Sequence, residues 1–463
     1  MARIKKVLKK TFFIFFCFIL LTQILDLIGW LSDEEPINKS EIMEITPLPT
    51  EENGYEFVKH LDYDNNRVLN KDYQDTDLTD LLEKKEWDIK TKKTVESLLN
   101  SHSKRNTLVQ QVVAKPHFQS KITESFYDSF SHYGGYTDLL RLKLLESRDA
   151  AEKQNFSKAT ALAEEALIFS QRIKADKMPT LISFVVGISH QNQAISWIHQ
   201  LGSRYAVSDA DRKKLINTLN KVSDYQNDNF NESINGEIRF YEFYIQAFDY
   251  WNFSERISLL TSSWNNEDIR NPRVIIHSAL SFFSPHYFLQ KGKLSNFSYQ
   301  IRNEDTKQVR KSCIDIEYSH YDQLVRTKNS FFSLFKSNSM GKLLFENTPS
   351  FEIYFLRRCQ AGFHLQAVKT ALTILQAESK QGNQIKRLDE LIPQPLTNVP
   401  IDASNGKPLM FDAENRWIYS VGTNYTDNQG SLDSIFHNRC IRSKKCKQNP
   451  TVPIIYQAPV IEK

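Results

Sequence analysis

The residues of this sequence best suited to chemistry are its eleven histidines and a few acids in apolar surroundings. A metalloprotease helix would need H-E-x-x-H and an α/β-hydrolase would need G-x-S-x-G, and neither motif occurs. His190 and His199 lie nine residues apart on one predicted helix, so they point to nearly opposite faces. The sequence therefore favours a protein that is not an enzyme, and leaves open a catalytic site of unfamiliar composition.

Two polar features in otherwise apolar helices allow a functional and a structural interpretation. The first is a polar run on the helix 180–201, made of Ser183, Ser189, His190, Gln191 and Gln193. It could line a pocket in which His190 and Glu237 converge, but we favour hydrogen bonds to neighbouring helices and solvent. The second is Glu237, two residues before Arg239, for which we favour a buried ion pair that fixes helix packing over a role as general acid.

The N-terminus predicts a membrane anchor. Five basic residues and no acid lie in segment 2–10, and residues 11–31 form an apolar run interrupted only by Gln23 and Asp26. A helix of about 20 residues spans the hydrocarbon core of a bilayer. Basic residues before the run and acids directly after it place the N-terminus in the cytoplasm and residues 36–463 outside. A cleaved signal peptide is the alternative, but no A-x-A-like site follows the run.

Composition excludes two classes of protein. Only 14 of 463 residues are glycine and no two are spaced as in G-x-G, so Rossmann-type and Walker-type nucleotide sites are not expected. The net charge of +4 belongs to the N-terminal segment, because the rest of the chain carries 54 basic against 55 acidic residues. Without a basic surface, no nucleic-acid partner is expected.

Cysteine usage agrees with an exported body. Cys17 lies in the anchor, and the other four cysteines are Cys313, Cys359, Cys440 and Cys446. Cys440 and Cys446 flank a short loop that a disulfide could close, which would leave Cys313 and Cys359 as the second pair. Four cysteines allow three pairings, so this connectivity is a preference.

Helical periodicity dominates the chain as far as about residue 380, and the fold class predicted is mainly α: a transmembrane helix, a helical-hairpin bundle and a small C-terminal β-hairpin subdomain. A helical hairpin is clearest at 137–174, where small Ala159, Ala163 and Ala166 should let the two helices approach closely. Ser208 should cap a further helix, a long helix is expected from about 350 to 380, and β-hairpin strands are expected near 408–411 and 417–421. An apolar run around Phe282 and Tyr287 could form core or dock on a membrane or partner, with core favoured. We divide the chain into a cytoplasmic basic segment (1–10), a transmembrane anchor (11–31), a linker (32–53), a helical exported domain (54–384), a small β-containing subdomain (385–446) and an extended tail (447–463).

Several short motifs in a fixed order resemble an uncharacterised family of membrane-anchored or exported, mostly helical bacterial proteins. They are the hairpin at 139–169, Pro179-Thr180-Leu181-Ile182-Ser183, Val186-Gly187-Ile188, Gly236-Glu237, and then LDELIP, VPID, GKPL and YSVG. The resemblance covers nearly all of the exported region, and it implies no activity, because the family has none that can be carried over.

A second resemblance covers only about 385–433. Val399-Pro400-Ile401-Asp402, Gly406-Lys407-Pro408-Leu409 and Tyr419-Ser420-Val421-Gly422 resemble the C-terminal β-region of the major pseudopilins of type II secretion. In that family the following loop binds calcium, which implies Asn424, Asp427, Asn428 and Asp433 as the oxygen ligands here. Two positions that carry aspartate in the pseudopilins carry asparagine here. We therefore favour the alternative in which the loop is a self-satisfied Asx-rich turn, whose side chains form hydrogen bonds within the turn itself. The pseudopilin processing signature before the apolar helix is absent.

These observations lead to three functional hypotheses. The leading one is a single-pass protein of the bacterial inner membrane, with a periplasmic helical domain that acts as a protein-interaction or envelope-assembly module. The second is an accessory component of a secretion or pilus system with a calcium-stabilised C-terminal loop. The third is an enzyme with an unrecognised site in the helical bundle. Expected partners are the membrane, through residues 11–31, and envelope or secretion proteins.

Overall fold

The computed structural model describes residues 2–38, 44–62, 78–120, 132–177, 179–222, 229–247, 284, 287, 289–309, 311, 351–393, 396–403, 406–420 and 454–455. The described part is mainly helical, with an apolar N-terminal helix and a small antiparallel sheet near the C-terminus, as predicted. The α-helices are α1 (Ala2–Ser32), α2 (Leu78–Glu83), α3 (Ile89–Ser101), α4 (Ser103–Val113), α5 (His132–Glu152), α6 (Phe156–Lys174), α7 (Leu181–Arg204), α8 (Asp209–Asn220), α9 (Phe230–Ala247), α10 (Lys291–Val309) and α11 (Phe351–Gln381).

Local capping sets the starts of the central helices. The Asn155 side chain accepts the Lys158 N–H at the start of α6, and Thr180 and Ser183 form a reciprocal capping box at the start of α7. Ser208 caps α8 as the sequence predicts, by accepting the Asp211 N–H. Each cap satisfies backbone donors that a helix leaves without an internal partner, so the helix boundaries follow from a few polar residues.

The core lies among α5, α6, α7 and α11. α6 packs against both α5 and α7, and α11 lies across α7 and α8. Ala159, Ala163 and Ala166 of α6 are fully buried, which confirms the close approach predicted for this hairpin. A Cβ atom on Gly187 of α7 would lie 2.5 Å from the Cα atom of Lys174, so only glycine permits this spacing between α6 and α7.

The C-terminal β-hairpin is formed by β1 (Met410–Asp412) and β2 (Trp417–Tyr419), and Ile454–Ile455 (β3) pairs antiparallel with β2. The Asp412 side chain accepts the N–H groups of Glu414 and Asn415 and so forms the turn. Arg416 follows at φ 60° and makes a 2.6 Å ion pair with Glu378 near the end of α11. This ion pair holds the hairpin against the helical bundle.

The α1 helix is long and apolar enough to cross a membrane over Lys9–Ser32, with a mean hydropathy of 2.3. The first residues after α1 contact the start of α10. Asp33 accepts the N–H groups of Gly292 and Lys293 at the start of α10, and the Ile37 N–H donates to Asn296. An acid at a helix N-terminus satisfies orphan donors and interacts favourably with the helix dipole. The exit of α1 is therefore joined to the body through α10.

Candidate functional site

A groove of about 450 Å³ runs along the exposed side of α7 and is the candidate functional site. We call it the α7 groove. It is lined by Thr79, Leu82 and Glu83 of α2, Leu144 of α5, Val185, Ile188, Ser189, Asn192, Gln193, Ser196, Trp197 and Gln200 of α7, and Arg357 of α11. Its volume lies in the range of ligand-binding clefts.

A row of amides and hydroxyls forms one wall of the α7 groove. Its members are Ser189, Asn192, Gln193, Ser196 and Gln200, whose spacing of three and four residues puts them on one face of the helix. The row extends over about 17 Å at the helical rise of about 1.5 Å per residue. Apolar side chains of α2, α5 and α7 complete the lining, and exposed Glu83 and Arg357 lie on α2 and α11. The groove therefore presents hydrogen-bonding groups along its length and opposite charges from two different helices.

His364 of α11 ties the polar row to the bundle. Its Nδ1 lies 3.2 Å from Asn192 Oδ1 and its Nε2 lies 3.4 Å from Ser196 Oγ. Since an amide oxygen only accepts, Nδ1 carries the proton and Nε2 accepts from the Ser196 hydroxyl. Burial, with His199 nearby, lowers the pKa of His364 to about 4, so the ring is neutral at pH 7.

The order hydroxyl–imidazole–amide is also that of a nucleophile, a base and an orienting group. Two features argue against hydrolysis at Ser196. The residue lies in the middle of α7, where helical hydrogen bonding occupies backbone N–H groups that an oxyanion would need. Burial makes His364 a weak base at neutral pH. The contacts are better explained as structural hydrogen bonds that hold α7 and α11 together.

Arg148 positions α2, which contributes Thr79, Leu82 and Glu83 to the lining of the groove. It is almost completely buried and donates to the carbonyl groups of Leu81 and Leu82, at 2.9 and 2.6 Å, and of Lys84. Its guanidinium carbon lies 4.6 Å from the ring centre of Trp87. A cation at a helix C-terminus satisfies carbonyl groups that lack helical partners. Arg148 therefore joins α5 to α2 at the groove.

The sequence-predicted polar run divides between two sides of α7. Ser189 and Gln193 line the groove, whereas Ser183 belongs to the capping box and His190 and Gln191 are buried. His190 Nε2 lies 2.8 Å from the Thr137 hydroxyl on α5, and burial lowers its pKa to about 3. His199 lies near His364 of α11, so the two histidines do face different helices.

Glu237 does not converge with His190. It accepts the N–H of Leu181 at 3.2 Å, and Leu181 precedes His190 by nine residues, about 13 Å along the helix axis. Burial raises the pKa of Glu237, opposed by the hydrogen bonds from Leu181 and the Tyr241 hydroxyl. The charges that act on Arg239 are those of Glu232 and Asp176. Glu237 thus fixes the packing of α9 on α7 through the start of α7 rather than through Arg239.

The remaining predicted site residues stay predictions. The calcium ligands Asn424, Asp427, Asn428 and Asp433 lie outside the described residues. Of the cysteines, Cys359 is buried on α11, while Cys313, Cys440 and Cys446 also lie outside them. Within the part of the chain that the structure describes, no group of three or more His, Cys, Asp or Glu residues could hold a metal ion.

Sequence reasoning missed Asn192, Ser196, His364 and Arg148. The first two share the 3–4 spacing of Ser189 and Gln193, a pattern visible in the sequence once α7 is placed. Arg148 lies between Ser147 and Asp149, and its sequence neighbours give no sign of its carbonyl partners at the end of α2. For His364 no sequence signal existed, because its partners lie more than 160 residues away.

Comparison of the chain with protein-family models, with curated proteins and with solved structures finds no match.

Proposed function

We propose that this chain is a single-pass protein of the bacterial inner membrane, whose helical body lies in the periplasm and binds a segment of another envelope protein. The α7 groove is the observation that carries the proposal. It offers a row of amide and hydroxyl groups beside apolar side chains, with opposite charges on α2 and α11.

The chemistry of the groove suits an extended peptide. A peptide backbone has one donor and one acceptor for nearly every residue, and the amide row supplies both. At about 3.3 Å per residue, the 17 Å row accommodates about five residues of an extended chain. Glu83 and Arg357 would select a segment with charges of both signs, since unlike charges attract and like charges repel across an interface.

The hydrogen bonds between the exit of α1 and α10 support an anchor that is not cleaved from the protein. Cleavage after residue 31 would remove Gly29, whose carbonyl accepts from Gln290. It would also place Asp33, the acid at the start of α10, at a mobile new terminus. The five basic residues before the apolar run favour a cytoplasmic N-terminus.

The test is site-specific photo-crosslinking of the full-length protein in its native membrane. A benzophenone amino acid replaces Gln193 in the groove or Lys213, which is exposed on α8, as the matched control. We expect a defined set of envelope proteins from Gln193 and not from Lys213. The variant Ser189→Arg fills the groove from an exposed position and should abolish capture at Gln193 without changing the melting temperature. Equal capture at both positions, or none at Gln193, would contradict the proposal.

A catalytic function is the second candidate, because Ser196, His364 and Asn192 have the contacts of a nucleophilic relay. An activated-serine probe such as a fluorophosphonate distinguishes the two. The binding proposal predicts equal labelling of the parent protein and of Ser196→Ala. Labelling that disappears in Ser196→Ala would favour a hydrolase.

The accessory function in secretion or pilus assembly depends on the calcium loop at 424–433. If the loop binds calcium, the ion should raise the melting temperature of the full-length protein, and Asp427→Ala should remove the rise. An unchanged melting temperature in calcium would favour the self-satisfied turn.

A further inference from the structure

One face of the outer half of α1 is covered by the body of the protein. We define this covered face by Phe18, Thr22, Leu25, Asp26 and Gly29. Thr22 and Gly29 are buried and the other three are half-buried, and their spacing forms a single stripe along the helix. The other large apolar side chains between residues 19 and 31 are 38–68% exposed. The helix therefore has one partner along this stripe and open surface elsewhere.

Two residues that precede α10 form hydrogen bonds with the covered face. The Ser284 hydroxyl, fully buried, donates to the Thr22 carbonyl at 2.7 Å. Six residues later, Gln290 donates to the Gly29 carbonyl at 3.2 Å. Ser284 and Gln290 thus contact α1 at two levels, and the contact of Gln290 lies nearer the outer end of α1.

The depth of Ser284 follows from the helical rise. Ten residues separate Thr22 from Ser32, the outer end of the apolar span, and correspond to about 15 Å along the axis. That distance is half of the roughly 30 Å hydrocarbon core. If α1 spans the bilayer upright, Ser284 lies near the level of the bilayer centre.

The composition around Ser284 suits this position. Residues 274–290 contain no Asp, Glu, Lys or Arg over 17 residues, and Arg273 and Lys291 flank the run. Charged side chains are costly in the bilayer core, whereas lysine and arginine at its edges reach the headgroups. Aromatic residues are also frequent here, as they are at membrane interfaces.

Both ends of this part of the chain must lie on the same side of the membrane. α9, which ends at Ala247, packs along α10, which begins at Lys291, and the hydroxyls of Ser295 and Ser298 donate to Glu242. A helix that crossed the bilayer at 274–290 would need a second crossing before it, and the six charged residues between 251 and 273 disfavour one.

We propose that the protein has a second membrane-embedded part, formed by Ser284, Tyr287 and Gln290, which lies in the outer leaflet beside α1 directly before the start of α10. This inference rests on the proposed function, since it requires α1 to be an uncleaved span. The hydroxyl of Ser284 and the amide of Gln290 are satisfied there by α1 carbonyl groups, as polar groups in hydrocarbon must be.

The experiment uses the full-length protein in vesicles of phosphatidylethanolamine and phosphatidylglycerol, with a benzophenone amino acid at one position at a time. Tyr287, which is half-buried, tests the inference. Leu20, which is 51% exposed on α1, reports whether the anchor lies in the bilayer, and Lys213 of α8 is the control in water. Crosslinks to lipid acyl chains are identified by mass spectrometry after irradiation.

We expect acyl-chain adducts at Tyr287 and Leu20 and none at Lys213. Adducts at Leu20 without adducts at Tyr287 would overturn the second membrane-embedded part and leave the anchor intact. Absence at both positions would reject the anchor as well. Gly292→Ala provides a further check, because its Cβ atom would lie 1.6 Å from the Glu34 carbonyl oxygen and should separate α10 from the exit of α1. Tyr287 should lose its adducts in that variant, but not in Gly134→Ala, where no atom lies within 4 Å.

Discussion

Replacement of Gly236 by alanine tests how α9 is fixed to the start of α7. A Cβ atom at this position would lie 1.6 Å from the Pro179 carbonyl oxygen, so α9 must retreat by at least about 1.4 Å to reach a tolerable contact of about 3.0 Å. The adjacent hydrogen bond from the Leu181 N–H to Glu237 is already 3.2 Å long and would not survive that movement.

The expected cost follows from these two effects. Overpacking costs about 1–3 kcal/mol, and a buried carboxyl group and N–H left without their hydrogen bond cost about 1–3 kcal/mol. Alanine has a helix propensity about 1 kcal/mol more favourable than that of glycine, which offsets part of this cost. We therefore expect Gly236→Ala to lower the free energy of unfolding by about 1–5 kcal/mol, with 3 kcal/mol as a central value.

The assay is denaturant unfolding of the detergent-solubilised full-length protein, followed by circular dichroism. Gly134→Ala is the matched control, because it is also a helical glycine but has open space around its Cβ position. It should raise the free energy of unfolding by up to about 1 kcal/mol. If Gly236→Ala proves as stable as Gly134→Ala, the close approach of α9 to Pro179 is wrong.

Three further perturbations have expected outcomes in the same assay. Arg148→Met should lower the free energy of unfolding by about 3–5 kcal/mol, since three carbonyl groups lose a buried donor, whereas Lys158→Met on the surface should change it by less than about 0.5 kcal/mol. Asp305 has its pKa raised from 3.8 to about 7 by burial, so its contribution to stability falls as pH rises from 4 to 7, and Asp305→Asn should flatten the stability profile over that window. The pKa of His364 is lowered from 6.5 to about 4, so the free energy of unfolding falls as pH drops below 6.5. His364→Gln should therefore make the free energy of unfolding depend less steeply on pH between 6 and 4, by about 1.4 kcal/mol per pH unit. A profile that is identical in parent and variant would contradict either pH prediction.

Much of the fold follows from local features of the sequence. The apolar run of α1, the hairpin of α5 and α6 and the Ser208 cap are all predicted from periodicity and single polar residues, and the structure confirms them. The long helix predicted at 350–380 is α11, and the β-hairpin predicted at 408–421 is present with shorter strands. Such features depend on contacts within a few residues, so their physical causes are visible in the sequence.

The candidate site could be predicted only in part. Ser189 and Gln193 belong to a polar run that the sequence displays, but the run alone does not show which side chains face a groove. Glu237 was expected to pair with Arg239 because the two are close in sequence, yet Glu237 binds the start of α7. Where two helices cross, the closest partner of a residue can lie on the other helix, far away in the sequence.

What the sequence determined by itself is the apolar N-terminal helix, the helical class of the body and the starts of its central helices, because these depend on hydrophobic runs and local capping. Only the tertiary structure decided the α7 groove, whose walls come from α2, α5, α7 and α11. It also decided that Ser284 lies against Thr22, 262 residues away in the chain. Contacts of this kind depend on how helices pack, and a single sequence carries no local pattern that records them.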